Sequence, residues 1–154
     1  MFKHIIVAVD DSADSYKAAE MGLQLAKVFT STVTFTYVVT EDYIKTVIKD
    51  TAVMRKAGDP FDSMLLDEAR TEQTGNEVFS KIIKMAKKQA HPYIDTKVLN
   101  GNPSAELVNE ICTGDYDLAI VGRQGASKAQ KSIIGDVVEP VIRLCTIPTL
   151  IVSK

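Results

Sequence analysis

Tryptophan is absent from this chain, and cysteine occurs only twice, at Cys112 and Cys145, far apart and without a C-x-x-C. That spacing suggests neither a zinc site nor a redox pair. Both residues sit among apolar neighbours on expected helices, where a free thiol packs as a small hydrophobe. No apolar run approaches the ~20 residues of a membrane span, and the opening MFKHIIVAVDDS meets charges too early for a secretory signal, so a cytosolic protein is expected. Neither sign of charge dominates. With 18 basic against 20 acidic side chains the formal charge is -2, which offers no general attraction to nucleic acid or to anionic membranes. His4 and His91 have no partner at metal-ligand spacing, so surface or packing roles are expected for them. The two standard glycine signatures for phosphate, G-x-G-x-x-G and G-x-x-x-x-G-K-[ST], do not occur.

What remains is an ordinary globular composition: 154 residues, 45% hydrophobic and 25% charged, enough for one domain with a substantial core. Ile5 to Val9 is a β-branched run ending at Asp10-Asp11-Ser12, which predicts a buried first strand and then a helix capped by Asp11 or Ser12. That helix runs from Ala13 to Phe29, with Ala18, Met21, Gly22, Leu25, Val28 and Phe29 at helical spacing. Val33 to Val39 alternates as a second strand. The signal then weakens; a stretch of variable insertion is expected over 41–75, with Lys45, Lys49, Arg55 and Lys56 on a solvated face. Phe61 to Gln89 turns helical, clearest at Val78, Phe79, Ile82, Ile83 and Ala86, with a possible break at Gly75 and an end at His91-Pro92. Tyr93 to Leu99 is a third strand. Asn102-Pro103 reads as a cap followed by proline at the first helical position, and Gly114 ends that helix after Leu107, Val108, Ile111 and Cys112.

The richest stretch is Asp117 to Val138. A short apolar run, Leu118 to Val121, predicts a strand buried on both faces. A loop follows with Gly122, Gly125 and Gly135, and with Arg123, Lys128 and Lys131 between them. Glycines let backbone amides approach an anion closely, so the loop fits a phosphate cradle; it fits equally a long turn that binds nothing. Pro140 requires the next helix to start near Asp136 or Val137, because proline is tolerated only in a first turn. Val137, Val138, Val141, Ile142 and Cys145 would face inward. Thr149 to Val152 closes as a hydrophobic strand suited, as a sheet edge, to pairing with another chain.

The order β-α-β-α-β-α-β-α-β predicts an α/β fold: a doubly wound, five-stranded parallel sheet, strand order 3-2-1-4-5, with helices on both faces. Strands one and four then lie side by side with connections leaving in opposite directions, and ligands bind beyond their carboxyl ends. Asp10 and Gly122, more than a hundred residues apart, would meet there.

Ile-Val-Ala-Val-Asp at the start, Thr-Phe-Thr-Tyr-Val-Val in strand two, Gly101-Asn102-Pro103, the Val121-Gly122-x-x-Gly125 loop with Gly135, and the Cys-x-Ile-Pro-x-Leu-Ile-Val ending together resemble the universal stress protein family. The match covers nearly the whole chain, as a single domain over 1–154. The resemblance implies that Asp10 and Val38 hold an adenine, that Asn102 lies near the ribose, and that Gly122, Gly125 and Gly135 surround the phosphates. Arg123, Asp136 and Val137 complete the candidate set. It also implies an adenine nucleotide, ATP, ADP or AMP, as ligand and a homodimer through Thr149–Val152; the missing Walker lysine and the lack of an obvious base to position an attacking water argue for binding without dedicated catalysis.

One departure stands out. The family pattern is G-x2-G-x9-G-[ST], and Asp136 replaces the hydroxyl residue. An ionised aspartate only accepts hydrogen bonds, and two unit charges ~4 Å apart repel by about 4 kcal/mol at an effective dielectric of ~20. Three outcomes follow. Asp136 caps the helix with Glu139 in a capping box while phosphates still bind, or it holds a Mg²⁺ that bridges to phosphate, or it closes the site and leaves a nucleotide-free, dimeric interaction protein.

Overall fold

The computed structural model describes residues 1–40, 75–90, 93–126 and 134–154. In chain order these form β1 (His4–Ala8), α1 (Ala13–Phe29), β2 (Thr32–Val39), a helix over 75–88 (α2), β3 (Ile94–Asn100), α3 (Pro103–Thr113), β4 (Leu118–Gly122), α4 (Val138–Leu144) and β5 (Thr149–Val152). Every pairing is parallel and the order across the sheet is β3-β2-β1-β4-β5, as expected from the alternation of elements. The expected insertion, apart from residue 75, lies outside the described residues, as do His91-Pro92, Lys128 and Lys131.

The period of two along the central strands divides the core between two layers. Ile5 and Val7 of β1 point to one face with Leu118 and Ile120 of β4, where Ala18, Ala19, Leu23 and Ala26 of α1 and Val78, Phe79, Ile82 and Ala86 of α2 cover them. Ile6, Ala119 and Val121 point to the other face, against Leu107 and Ile111 of α3 and Val138 and Val141 of α4. Both central strands are buried, which is why they read as unbroken apolar runs. Asp117 ties their starts together, its Oδ2 accepting from the backbone N–H of Lys3 at 2.6 Å and of His4 at 3.1 Å.

Three local expectations hold only in part, and packing explains the departures. The buried face of α1 is Ala18, Ala19, Gly22, Leu23 and Ala26, whereas Met21 is 36% and Val28 74% exposed. A Cβ on Gly22 would stand 2.7 Å from Val7 Cγ2, so the helix sits close on the sheet through small residues beside Leu23, with Met21 and Val28 turned outward. The last helix begins at Val138, not Asp136; Val137 occupies the cap position without a side-chain hydrogen bond, and Glu139 pairs instead with Arg143. Pro140 thus falls in the first turn as required, but the capping box does not form, because a turn closed by Val138 N–H donating to Gly135 O at 3.0 Å takes up residues 135–138. Ile142, expected inside, is 50% exposed. Finally, the cysteines are not buried separately: Cys112 is exposed, Cys145 is half-buried, and their sulfurs lie 3.7 Å apart where the end of α3 meets the end of α4.

Candidate functional site

The carboxyl end of β1 opens the site. Ser12 caps α1, its Oγ accepting from Ser15 N–H at 3.1 Å, and satisfies one of the donors that a helix start leaves unpaired. Asp11 takes a positive φ of 65°, which sends the two adjacent acids in different directions. Asp11 turns outward to Lys81 Nζ at 2.7 Å and to the Tyr16 hydroxyl, and these contacts, Lys81 first, lower its pKa. Asp10 turns inward. Its Oδ1 accepts from Ser12 N–H at 3.1 Å and its Oδ2 from Ala126 N–H at 2.7 Å, so one carboxylate spans the turn after β1 and the loop after β4.

The glycines of that loop answer to close approach. A Cβ on Gly122 would lie 2.9 Å from the backbone of Asp14 and Ser15, because β4 ends directly under the first turn of α1. A Cβ on Gly125 would lie 2.7 Å from Asp10 Oδ2, and one on Gly135 would lie 3.0 Å from Arg123 O. Asp14 holds the start of the loop: Oδ2 accepts from Gln124 N–H at 3.1 Å, while Oδ1 accepts from Lys154 N–H at 2.9 Å. Gly135 N–H donates to Arg123 O at 2.9 Å, which brings the far end of the loop back to its beginning.

These elements frame a cleft of about 840 Å³ at the carboxyl ends of β1, β2 and β4. Asp10, Val38, Asn102, Gly122, Gly125, Gly135, Asp136 and Val137 all line it. Arg123 does not; it takes part through its backbone, donating to Val152 O at 2.7 Å and accepting from Gly135. A residue following the buried end of β4 is committed to pairing with β5, which draws its backbone to the sheet and leaves the guanidinium out of the cleft. Asn102 caps α3, its Oδ1 accepting from Ala105 N–H at 3.1 Å. Asp136 is exposed at the rim, and its backbone carbonyl accepts from Ser104 Oγ at 2.9 Å.

Several lining or supporting residues carry no signal in the sequence. Asp14 reads as an ordinary first-turn acid on a helix. Ser15 and Ser104 read as helix residues, and only their position one turn inside a cap hints that they reach the cleft. Thr36 reads as the polar face of β2, yet it is buried at the cleft wall, and its Oγ1 finds no hydrogen-bond partner among the described residues. Among the described residues there is also no group of three or more His, Cys, Asp or Glu able to hold a metal ion, and no helix long and apolar enough to cross a membrane.

Comparison with known proteins agrees with this architecture. The model of the universal stress protein family matches residues 1–153. A curated relative, universal stress protein MJ0531 of Methanocaldococcus jannaschii, is 30% identical over 156 residues, covering 100% of this chain and 84% of that protein. Among solved structures, a universal stress protein from Archaeoglobus fulgidus in complex with dAMP superposes with a TM-score of 0.60 at 14% identity, covering 97% of each chain. A family member from Arabidopsis thaliana with AMP bound gives a TM-score of 0.62 at 12% identity, covering 99% of this chain and 92% of that one. At such identities the two superpositions speak for the fold alone. The family model and the relative reach further, and on their extent this chain belongs to the universal stress protein family.

Proposed function

We propose that the cleft binds an adenine nucleotide, ATP, ADP or AMP, and that this cytoplasmic stress-response protein holds the nucleotide without dedicated catalysis. The observation that carries the reading is the convergence of Asp10, the glycine loop and the Asn102 cap on one open cleft at the switch point of a doubly wound sheet. Its volume falls within the range of about 300–1,000 Å³ usual for small-molecule sites. The hydroxyl of Thr36 is a further sign, since a buried polar atom without a partner costs about 1–3 kcal/mol unless something in the cleft or a water supplies one. The AMP and dAMP carried by structural neighbours agree in chemical class.

In this reading Val38 packs against the base and Asn102 lies beside the ribose. The phosphate donors are more restricted than the glycine pattern implies. The amides of Gln124, Ala126, Gly135 and Val138 are already engaged by Asp14, Asp10, Arg123 and Gly135. Those of Gly125, Asp136 and Val137, which have no hydrogen-bond partner among the described residues, remain for an anion. Asp10 is occupied with the loop, so it supports the base chiefly by fixing the loop beside it. Asp136 stands exposed at the rim and does not fill the cleft, which favours binding over a site closed by its carboxylate. A Mg²⁺ would enter with the phosphates, with Asp136 as its protein ligand, because no ready cluster of metal ligands is present among the described residues. Dimerisation through Thr149–Val152 belongs to the same proposal. No Walker lysine is present in the sequence to polarise a phosphate for hydrolysis.

Isothermal titration with ATP, ADP and AMP, each with and without Mg²⁺ and with GTP as control, tests the assignment. One saturable adenine-nucleotide site per chain is expected, and no heat at millimolar ligand would overturn it. Asp136→Ser removes a like charge screened by solvent and should tighten Mg²⁺-free binding about tenfold. If the native chain is silent and only the serine variant binds, the nucleotide-free interaction protein is the correct reading.

A further inference from the structure

The cysteine pair belongs to no part of the cleft. Cys112 lies on the last turn of α3 and is exposed; Cys145 follows α4 at its cap position and is half-buried. Thirty-three positions separate them in the chain, yet their sulfurs are 3.7 Å apart, and they are the two cysteines of this sequence. We propose that Cys112 and Cys145 form a redox-active dithiol that hydroperoxides convert into an intramolecular disulfide, with Cys112 attacking and Cys145 resolving.

To form a disulfide the sulfurs must close from 3.7 Å to ~2.05 Å. The order of events follows from access. The first sulfur to react must be reachable from solvent, and of the two it is Cys112 that is exposed. Cys145 is half-buried, the less accessible of the two to a solvent oxidant, and burial, then the neighbouring Cys112, push its thiol up to about 11.

The chemistry balances. Cys112 sulfur attacks one peroxide oxygen and gives up its proton as the O–O bond breaks; the sulfur is oxidised to a sulfenic acid, and the second oxygen takes that proton and leaves as water or alcohol. Cys145 sulfur then attacks Cys112 sulfur, the S–O bond breaks, and hydroxide departs as water with the Cys145 proton. Two thiols and one peroxide become one disulfide and two molecules of water, or of water and alcohol.

The link would join elements that also meet at the cleft. Ser104 on the first turn of α3 donates to the carbonyl of Asp136 just before α4, so a covalent bond at the far ends of the two helices would fix the spacing of that wall at both ends.

The test takes the reduced, full-length protein, adds a small excess of hydrogen peroxide, quenches with an alkylating agent and reads intact mass and peptide map. The expected result is a chain lighter by two hydrogens, carrying no alkyl group, with the link mapped between Cys112 and Cys145, migrating as a single chain on a non-reducing gel and restored by a dithiol reductant. Trapping with dimedone should label Cys112 in Cys145→Ser at least about tenfold faster than Cys145 in Cys112→Ser. Two alkylated thiols after peroxide, an interchain link, or oxygen added to each sulfur without a bond between them would each overturn the proposal. The native chain's mass gives that answer even if a variant does not fold.

Discussion

Asp14 and Glu110 are acids held 92% out of solvent, and each does structural work through named partners. Asp14→Ala would leave the amides of Gln124 and Lys154 without their acceptor, a loss of about 2–3 kcal/mol, which at this size lowers Tm by roughly 4–10 °C. Thermal melts should show that drop, and weaker nucleotide binding should accompany it because the loop loses its anchor. Glu110 is a buried residue of α3, taking Lys97 Nζ on both oxygens at 2.9 and 2.7 Å and the Tyr116 hydroxyl at 2.7 Å. Burial raises its pKa, but Lys97 and then Tyr116 outweigh that and leave it below the ordinary 4.5, while burial first and Glu110 second push the Tyr116 phenol up to about 12. A folded pKa below the unfolded one gives stability that is present above about pH 4.5 and lost as pH falls through the lower value. Urea melts from pH 6 downward should show this acid loss, and Glu110→Gln should flatten it. At this scale the sequence was legible where a residue ends a strand, as Asp10 does. It was silent on Asp14, because an acid in a helix's first turn is explained by the helix alone.

Helix α1 shows where periodicity misleads about a face. Counting large hydrophobes selects Met21 and Val28, but the sheet accepts the side with Ala18, Ala19, Gly22, Leu23 and Ala26, whose small residues let the helix approach closely. Gly22→Val should therefore destabilise by about 2–3 kcal/mol in chemical denaturation, through contact with Val7, although valine is the more hydrophobic residue. A neutral or stabilising outcome would mean the helix can lift without loss. Helix α4 was legible only in part. Proline placed its start to within two residues, but the turn over 135–138 depends on Gly135 meeting Arg123 across the loop, a contact invisible to local patterns. Strand β5 matches its expected span and lies at the sheet edge, with Ile151 39% exposed. Sedimentation should find a dimer, and Ile151→Lys should shift it toward monomer; an unchanged dimer would move the interface elsewhere.

Across the whole molecule, the strand order was legible because right-handed crossovers leave few topologies for five alternating units, and because two unbroken apolar runs had to be the central strands. The meeting of Asp10 with the glycine loop followed from that order; Asp10 Oδ2 reaches Ala126 N–H across 116 positions of chain. What no pattern supplied was the proximity of the two thiols, since neighbours at the ends of separate helices share no motif. The measurement that bears most directly on the central claim is a map of backbone amide shifts in isotope-labelled protein during titration with ATP. Saturable shifts should cluster at Val38, Asn102, Gly125, Asp136 and Val137, with the amides of Gly125, Asp136 and Val137 moving furthest. A spectrum unchanged at millimolar ATP, or shifts confined to surfaces away from the cleft, would contradict it.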